Sequence, residues 1–159
     1  MYLRIISIAI VLLATFFACN NAEKNKESKA ETQDQTKDTV KIKIDSLSKA
    51  IRQTPKEDTL FYQRSLTGDV QNAVNDLEIA KKLNPDIPQY YLDLAEIELR
   101  RGESGIAKDI LLACHEKFPN NIETMIRLAN IYMAVEKYKE ARTYLIKASR
   151  INPRNPRLY

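Results

Sequence analysis

The sequence predicts an all-α fold, a stack of antiparallel helix pairs, and three observations predict it. Pro85, Pro119 and Pro153 stand 34 residues apart, and the residues before them keep the same step: Ala73, Ala107 and Ala141; Leu77, Leu111 and Leu145; Ala80, Cys114 and Ala148. A fixed period of this size marks a helical repeat array. Within a repeat, Met125, Leu128, Ala129 and Tyr132, and then Tyr138, Ala141, Leu145 and Ala148, recur at three and four and so share one helical face. Three glycines and no tryptophan leave little material for turn-dense β structure. A single pair cannot bury its apolar face, so stacking on the next pair makes the fold.

The N-terminal residues 1–18 form a separate element. Arg4 precedes an apolar run from Ile5 to Phe17 that is too short to span a bilayer and has the proportions of an export signal. Its ending, Phe16-Phe17-Ala18-Cys19, resembles a bacterial lipobox, in which the chain is cut before a cysteine that is then lipidated. The resemblance implies lipidation at Cys19. An ordinary signal peptide with an incidental cysteine and a transmembrane anchor are the other two readings, and the polar run that begins directly after Cys19 favours the first. Residues 19–43 comprise that cysteine and a stretch rich in Lys, Glu, Asp, Asn, Gln and Thr, with almost no large aliphatic residue before Val40. Such a stretch buries too little apolar surface to offset its ordering entropy, and we expect a disordered tether. A coil of that length spans on the order of 25–30 Å.

The helical domain is expected over residues 44–159. Leu47, Ala50 and Pro55 match the end of a second helix, so 44–55 reads as a half repeat with a helix near 44–53. The step from Pro55 to Pro85 is 30 residues, and about one helical turn is missing between Ser65 and Gly68. The first helix of repeat 56–85 is therefore short, near 57–67. The alternative is that Pro55 ends an unrelated helix. Helices near 69–83, 87–101, 103–117, 121–135 and 137–151 complete repeats 56–85, 86–119 and 120–153, and 154–159 starts a further one.

Helix ends are marked too. Asp86 with Pro88 and Gln89, and Asn120 with Glu123, read as capping boxes. Asn155-Pro156 opens another helix. Gly68-Asp69 and Gly102-Glu103 supply turns with a glycine for positive φ, whereas Glu136-Lys137 lacks it.

These residues resemble the tetratricopeptide repeat, a helix-turn-helix unit of this length. The family's large residue, Leu-Ala pair and aromatic on the first helix match Tyr91, Leu94 and Ala95 in one repeat and Met125, Leu128, Ala129 and Tyr132 in the next. Glu98 departs from the expected aromatic. The resemblance implies a right-handed α-solenoid that acts as a protein-binding scaffold. It also implies an extended peptide or a helix bound along the face of the first helices, at Gln89, Leu92, Glu96, Leu99 and Arg100, and at Glu123, Ile126, Asn130, Met133 and Ala134. Family members that clamp a terminal carboxylate place Lys and Asn in this groove. Here Leu92 and Glu96 stand in those places and only Asn130 matches, which argues against that clamp. Leu92, Ile126 and Met133 suit an apolar or amphipathic ligand, unless Leu92 and Ile126 pack between helices instead.

Charge divides the chain. Residues 20–99 hold 12 basic and 15 acidic residues, and residues 100–159 hold 12 and 6. A basic half can meet an acidic protein, anionic lipid or nucleic acid, or simply be a solvated surface, the reading we favour. No nucleic-acid motif accompanies it. If Cys19 is lipidated, Cys114 has no disulfide partner; its place in register with alanines makes it a small core residue rather than a reactive thiol. His115 is the only histidine, expected on the outer side of its helix, and no set of metal-ligand spacing, P-loop or dinucleotide fingerprint occurs. Gly102-Glu103-Ser104-Gly105 lacks nucleophile-elbow spacing. The sequence thus reads as a non-catalytic, cofactor-free, lipid-anchored scaffold facing the periplasm, with a protein or peptide ligand, in an envelope complex. A regulatory subunit of an envelope enzyme is the alternative. Tyr159 falls 34 residues after Met125, at the residue that opens a repeat. Part of the apolar surface of Tyr138, Tyr144, Leu145 and Ile151 is then expected to be uncovered, from which two readings follow: a fragment of a longer array, or an end that docks on a partner or a second copy.

Overall fold

The computed structural model describes residues 37–67 and 70–158. The chain divides into two compact units, 1–45 and 46–159. In the first, the described residues 37–45 are helical. Residues 37–43, expected in the disordered tether, therefore belong to a helix. The reason is legible in the spacing: Val40, Ile44, Leu47 and Ile51 extend one apolar stripe upstream at four, three and four. The lipobox and residues 1–36 lie outside the described residues, as does the Gly68-Asp69 turn. Among the described residues no helix is long and apolar enough to cross a membrane.

The second unit opens with a helix over residues 46–53 (α1) and continues with α2 (Asp58–Ser65), α3 (Val70–Leu83), α4 (Pro88–Arg100), α5 (Ser104–Lys117), α6 (Ile122–Ala134) and α7 (Tyr138–Ile151). A 3-10 turn, Pro156–Leu158, stands where a further helix was expected to start. Among the described residues there is no strand. The pairs α2–α3, α4–α5 and α6–α7 pack tightest, and α3–α4 and α5–α6 join pair to pair. Helix α2 has 8 residues against 13 in α4 and α6, the missing turn read from the proline step.

Two apolar clusters alternate with the pairs. One joins Phe61, Ala73, Leu77, Ala80, Tyr90 and Leu94. The other joins Leu92, Ala95, Ala107, Leu111, Leu128 and Ile131. Ile110 packs against both. Ala80, Ala95, Ala107, Ala129 and Ala148 are fully buried, because helix backbones approach closely only where no larger side chain intervenes. Cys114 occupies such a place, as its register indicates. Its Sγ lies 3.2 Å from Thr124 Oγ1, and burial pushes the thiol up in pKa, against the opposing effect of that hydrogen bond. At Glu98, where an aromatic is missing, the carboxylate is buried and accepts from Arg101 at 3.0 Å. Tyr138 and Ile151 are exposed, whereas Tyr144 and Leu145 are half-buried.

Both expected capping boxes shift by one residue. The cap positions are Ile87 and Asn121, in register with each other and with Asn155. The Asn121 side chain accepts from Thr124 N at 2.9 Å, and Asn155 Oδ1 from Arg157 N at 3.0 Å. Asp86 instead faces Lys117 Nζ at 2.9 Å, and Glu123 pairs with Arg127. The shift follows from the turn after each proline: Asn121 N donates to Phe118 O, so one more residue is used before the helix starts.

The turns agree with their composition. Gly102 sits at φ 84° and Glu136, one repeat later, at φ 58°. A side chain in the left-handed region costs roughly 1–2 kcal/mol. Replacing Glu136 with Gly removes that cost but adds glycine's own entropy loss, so E136G is expected to stabilise the domain by about 0.5–1 kcal/mol. A Cβ at Gly102 would meet nothing within 4 Å, so G102A should destabilise by about 1 kcal/mol through backbone strain alone. Urea titration of both variants checks this, and opposite signs are required.

Candidate interaction surface

The first helices of successive pairs, α2, α4 and α6, present one continuous lining. Between α4 and α6 lies a groove of about 260 Å³ lined by Glu96, Leu99, Arg127, Asn130, Ile131 and Ala134, with Arg157 closing one side. Between α2 and α4 lies a second of about 240 Å³, lined by Ser65, Leu66, Asp93, Glu96, Ile97 and Arg100, with Leu77 from α3. Glu96 borders both.

The expected ligand positions separate into four groups. Glu96, Leu99, Arg100 and Asn130 line these grooves, together with Ala134. Leu92 and Ile126 are only 4% and 3% exposed and pack between helices, the second of the two readings left open for them. Gln89 and Met133 are exposed but line neither groove. Gln89 donates to Asp93 Oδ1 at 2.7 Å. Glu123 is half-buried and accepts from Arg127 Nε at 2.8 Å and from Arg157. The apolar share of the surface is therefore smaller than the sequence suggests.

A polar network takes its place. Arg127 Nη1 donates to Glu96 Oε2 at 2.6 Å while its Nε serves Glu123, so one guanidinium joins carboxylates of two successive first helices. Such charge-assisted bonds hold side chains in defined rotamers. One repeat earlier, Tyr62 Oη donates to Asp93 Oδ2 at 3.0 Å and Tyr90 Oη to Asp58 Oδ2 at 2.6 Å, with the Tyr62 and Tyr90 rings 5.1 Å apart. Burial first, and then these carboxylates, raise both phenol pKa values, so both hydroxyls stay protonated donors.

Asp93, Arg127 and Arg157 were missed by reading the repeat for apolar positions. A signal exists: Tyr62 to Asp93 and Glu96 to Arg127 are each 31 residues apart, one helical turn short of the period. That step brings two first helices side by side.

His115 is not on the outer side of its helix. It is half-buried, its ring 5.4 Å from that of Tyr144, and its Nδ1 is buried without a partner among the described residues. Burial, and then Lys147, lower its pKa. Among the described residues no group of three or more His, Cys, Asp or Glu is placed to hold a metal ion.

Residues 105–159 match the family model described as Tetratricopeptide repeat. No curated relative matches the chain. Among solved structures, the crystal structure of MamA is 21% identical, with TM-score 0.64, over 69% of this chain and 67% of that one. A tetratricopeptide repeat protein from Parabacteroides merdae is 18% identical, with TM-score 0.67, over 72% of this chain and 48% of that one. The Arabidopsis OM64 TPR domain is 20% identical, with TM-score 0.57, over 64% and 87%. The alignments thus span from about half to most of these chains, and the likeness is one of fold. With the 34-residue register, the paired helices and the left-handed turns at Gly102 and Glu136, the helical array of this chain has the fold of the tetratricopeptide repeat solenoids that it resembles.

Proposed function

We propose that the protein is a lipid-anchored scaffold of a bacterial envelope, binding a protein segment along the lining of α2, α4 and α6. The observation that carries the reading is the Glu96–Arg127–Glu123 network beside exposed Asn130 and Arg100. It offers fixed acceptors and free donors to a backbone laid across it, with Leu99 and Ala134 for one or two apolar side chains. The short apolar run ending in Ala18-Cys19 supports attachment through lipid, at ~0.8 kcal/mol per buried CH₂.

A photoreactive residue at position 130, in cells, is expected to give a discrete protein adduct. The same residue at position 116, exposed on α5 away from the groove, should not. Equal adducts at both positions, or none at 130, reject the groove. Anchoring is checked separately by Cys19→Ala and cell fractionation. The variant should leave the membrane fraction and change mobility on a gel, and a protein that does neither is not a lipoprotein.

A further inference from the structure

The last repeat carries a recess whose lining differs from the residues at the same positions one repeat upstream. About 320 Å³ in volume, it is lined by His115, Pro119, Asn120, Met125, Lys147, Arg150 and Ile151, from α5, the α5–α6 turn, α6 and α7. Thirty-four residues earlier the same positions read Lys81, Pro85, Asp86, Tyr91, Ala113, Glu116 and Lys117. That copy is filled and self-neutralised. Lys81 Nζ stands 5.6 Å over the Tyr91 ring, Tyr91 packs on Phe118, and Asp86 pairs with Lys117 at 2.9 Å. In the last repeat Met125, fully buried, replaces the tyrosine. Asn120 replaces the aspartate, and Glu116 gives way to Arg150. The recess has lost both carboxylates and keeps two cations, Lys147 and Arg150 in place of Lys81 and Lys117, so its formal charge changes from zero to +2.

The outer stripe of α7 continues this charge. Lys139, Thr143, Lys147 and Arg150 follow at four, four and three along roughly 16 Å of helix, with Arg142 beside them, all exposed. Among the described residues none of these four cations lies within ion-pair distance of a carboxylate; Lys147 instead stands 5.5 Å over the Tyr144 ring. The stripe is outer surface by the architecture. Its counterparts Gly105, Asp109, Ala113 and Glu116 are exposed although α6 packs on α5.

We propose that this recess and stripe dock on an anionic phospholipid surface, a headgroup phosphate entering between Lys147 and Arg150. A floor of Pro119, Met125 and Ile151 suits the glycerol and first methylenes better than it suits a free anion. Cations spread along a helix face meet a plane of charges rather than one acidic side chain. The polar stretch over residues 20–36 is no acidic counterpart for the stripe, with three lysines against four carboxylates. The choice of a bilayer as partner rests on the lipid-anchor reading, and the test separates the two.

His115 is the chain's single histidine and lines the recess, so its imidazole resonances are an assigned reporter. The full chain, labelled at histidine, is titrated with bicelles of phosphatidylcholine alone and with added phosphatidylglycerol. The His115 signals should shift and its pKa rise only when phosphatidylglycerol is present, and high salt should reverse both. K147Q/R150Q, two exposed substitutions verified by unchanged circular dichroism, should abolish the effect. K139E, on the stripe but outside the recess, should weaken it about fivefold or more. An equal shift with phosphatidylcholine alone, with inorganic phosphate or with polyglutamate overturns the proposal, as does no shift at all. A chain that attaches to phosphatidylcholine bicelles without moving His115 on adding phosphatidylglycerol sinks this inference and leaves the anchor standing. A chain that fails to attach to neutral bicelles sinks the anchor alone.

Discussion

Arg64→Ala is expected to destabilise the domain by about 3–5 kcal/mol, more than removal of its partner does. Arg64 forks onto Asp76, with Nε to Oδ2 and Nη2 to Oδ1 both at 2.7 Å, and its Nη1 reaches Ser48 Oγ at 3.0 Å. One guanidinium thus ties α1, α2 and α3. Its two ends are unequally placed: the Asp76 side chain is 2% exposed and that of Arg64 25%. Losing Arg64 strands a carboxylate in the interior, whereas losing Asp76 leaves a guanidinium that can turn to water. The order R64A worse than D76A follows from burial, not from the bond, which both variants lose. The double variant should recover much of the R64A deficit, because nothing charged is then left buried. Urea midpoints for the three variants decide it. Equal single-mutant losses, or a double variant no better than R64A, would show that burial of Asp76 is not the governing cost.

Leu128→Ala should cost about 2–5 kcal/mol, the removed transfer energy plus that of the cavity left behind. Leu128 is fully buried on α6 in the cluster with Leu92, Ala95, Ala107, Leu111 and Ile131. It therefore belongs to the contact that couples one pair to the next. In a solenoid each pair touches only its neighbours, so weakening one contact uncouples the array there. Amides of α6 and α7 should exchange through a local opening while those of α2 and α3 keep their protection. Leu66→Ala, at an exposed leucine, should stay within about 0.5 kcal/mol of wild type. Uniform loss of protection from α2 to α7 would mean that the array unfolds as one unit.

The helices were legible because their causes are periodic. Ala107, Leu111 and Cys114 recur as Ala141, Leu145 and Ala148, and each repetition is a second independent sample of the same helix face. The helical residues 37–43 were missed because composition outweighed spacing: Lys41 and Lys43 read as tether, yet Val40, Ile44 and Leu47 already keep helical register. The caps were misplaced by one because the post-proline turn consumes a residue, a backbone matter that side-chain identity at Asp86 and Asn120 does not reveal. The groove was half legible. Leu99 and Asn130 fall on the expected face, but whether Leu92 and Ile126 face a ligand or the neighbouring helix depends on rotation about the helix axis of a few tens of degrees.

By itself the sequence determined the repeat length, the pairing order, the short α2 and the strained turn at Glu136. All of these are local or strictly periodic, and one period fixes where helices α2 to α7 begin and end to within a turn. Only the tertiary structure decided the charge pairing. Asp76 holds Arg64, Glu96 shares Arg127 with Glu123, and Asp86 holds Lys117, whereas the cations of α7 hold no carboxylate among the described residues. The ion pairs between elements span gaps of 12 to 34 residues and their side chains are long and flexible, so a sequence admits many pairings of similar energy. Packing selects among them by placing two helices at one distance and one rotation.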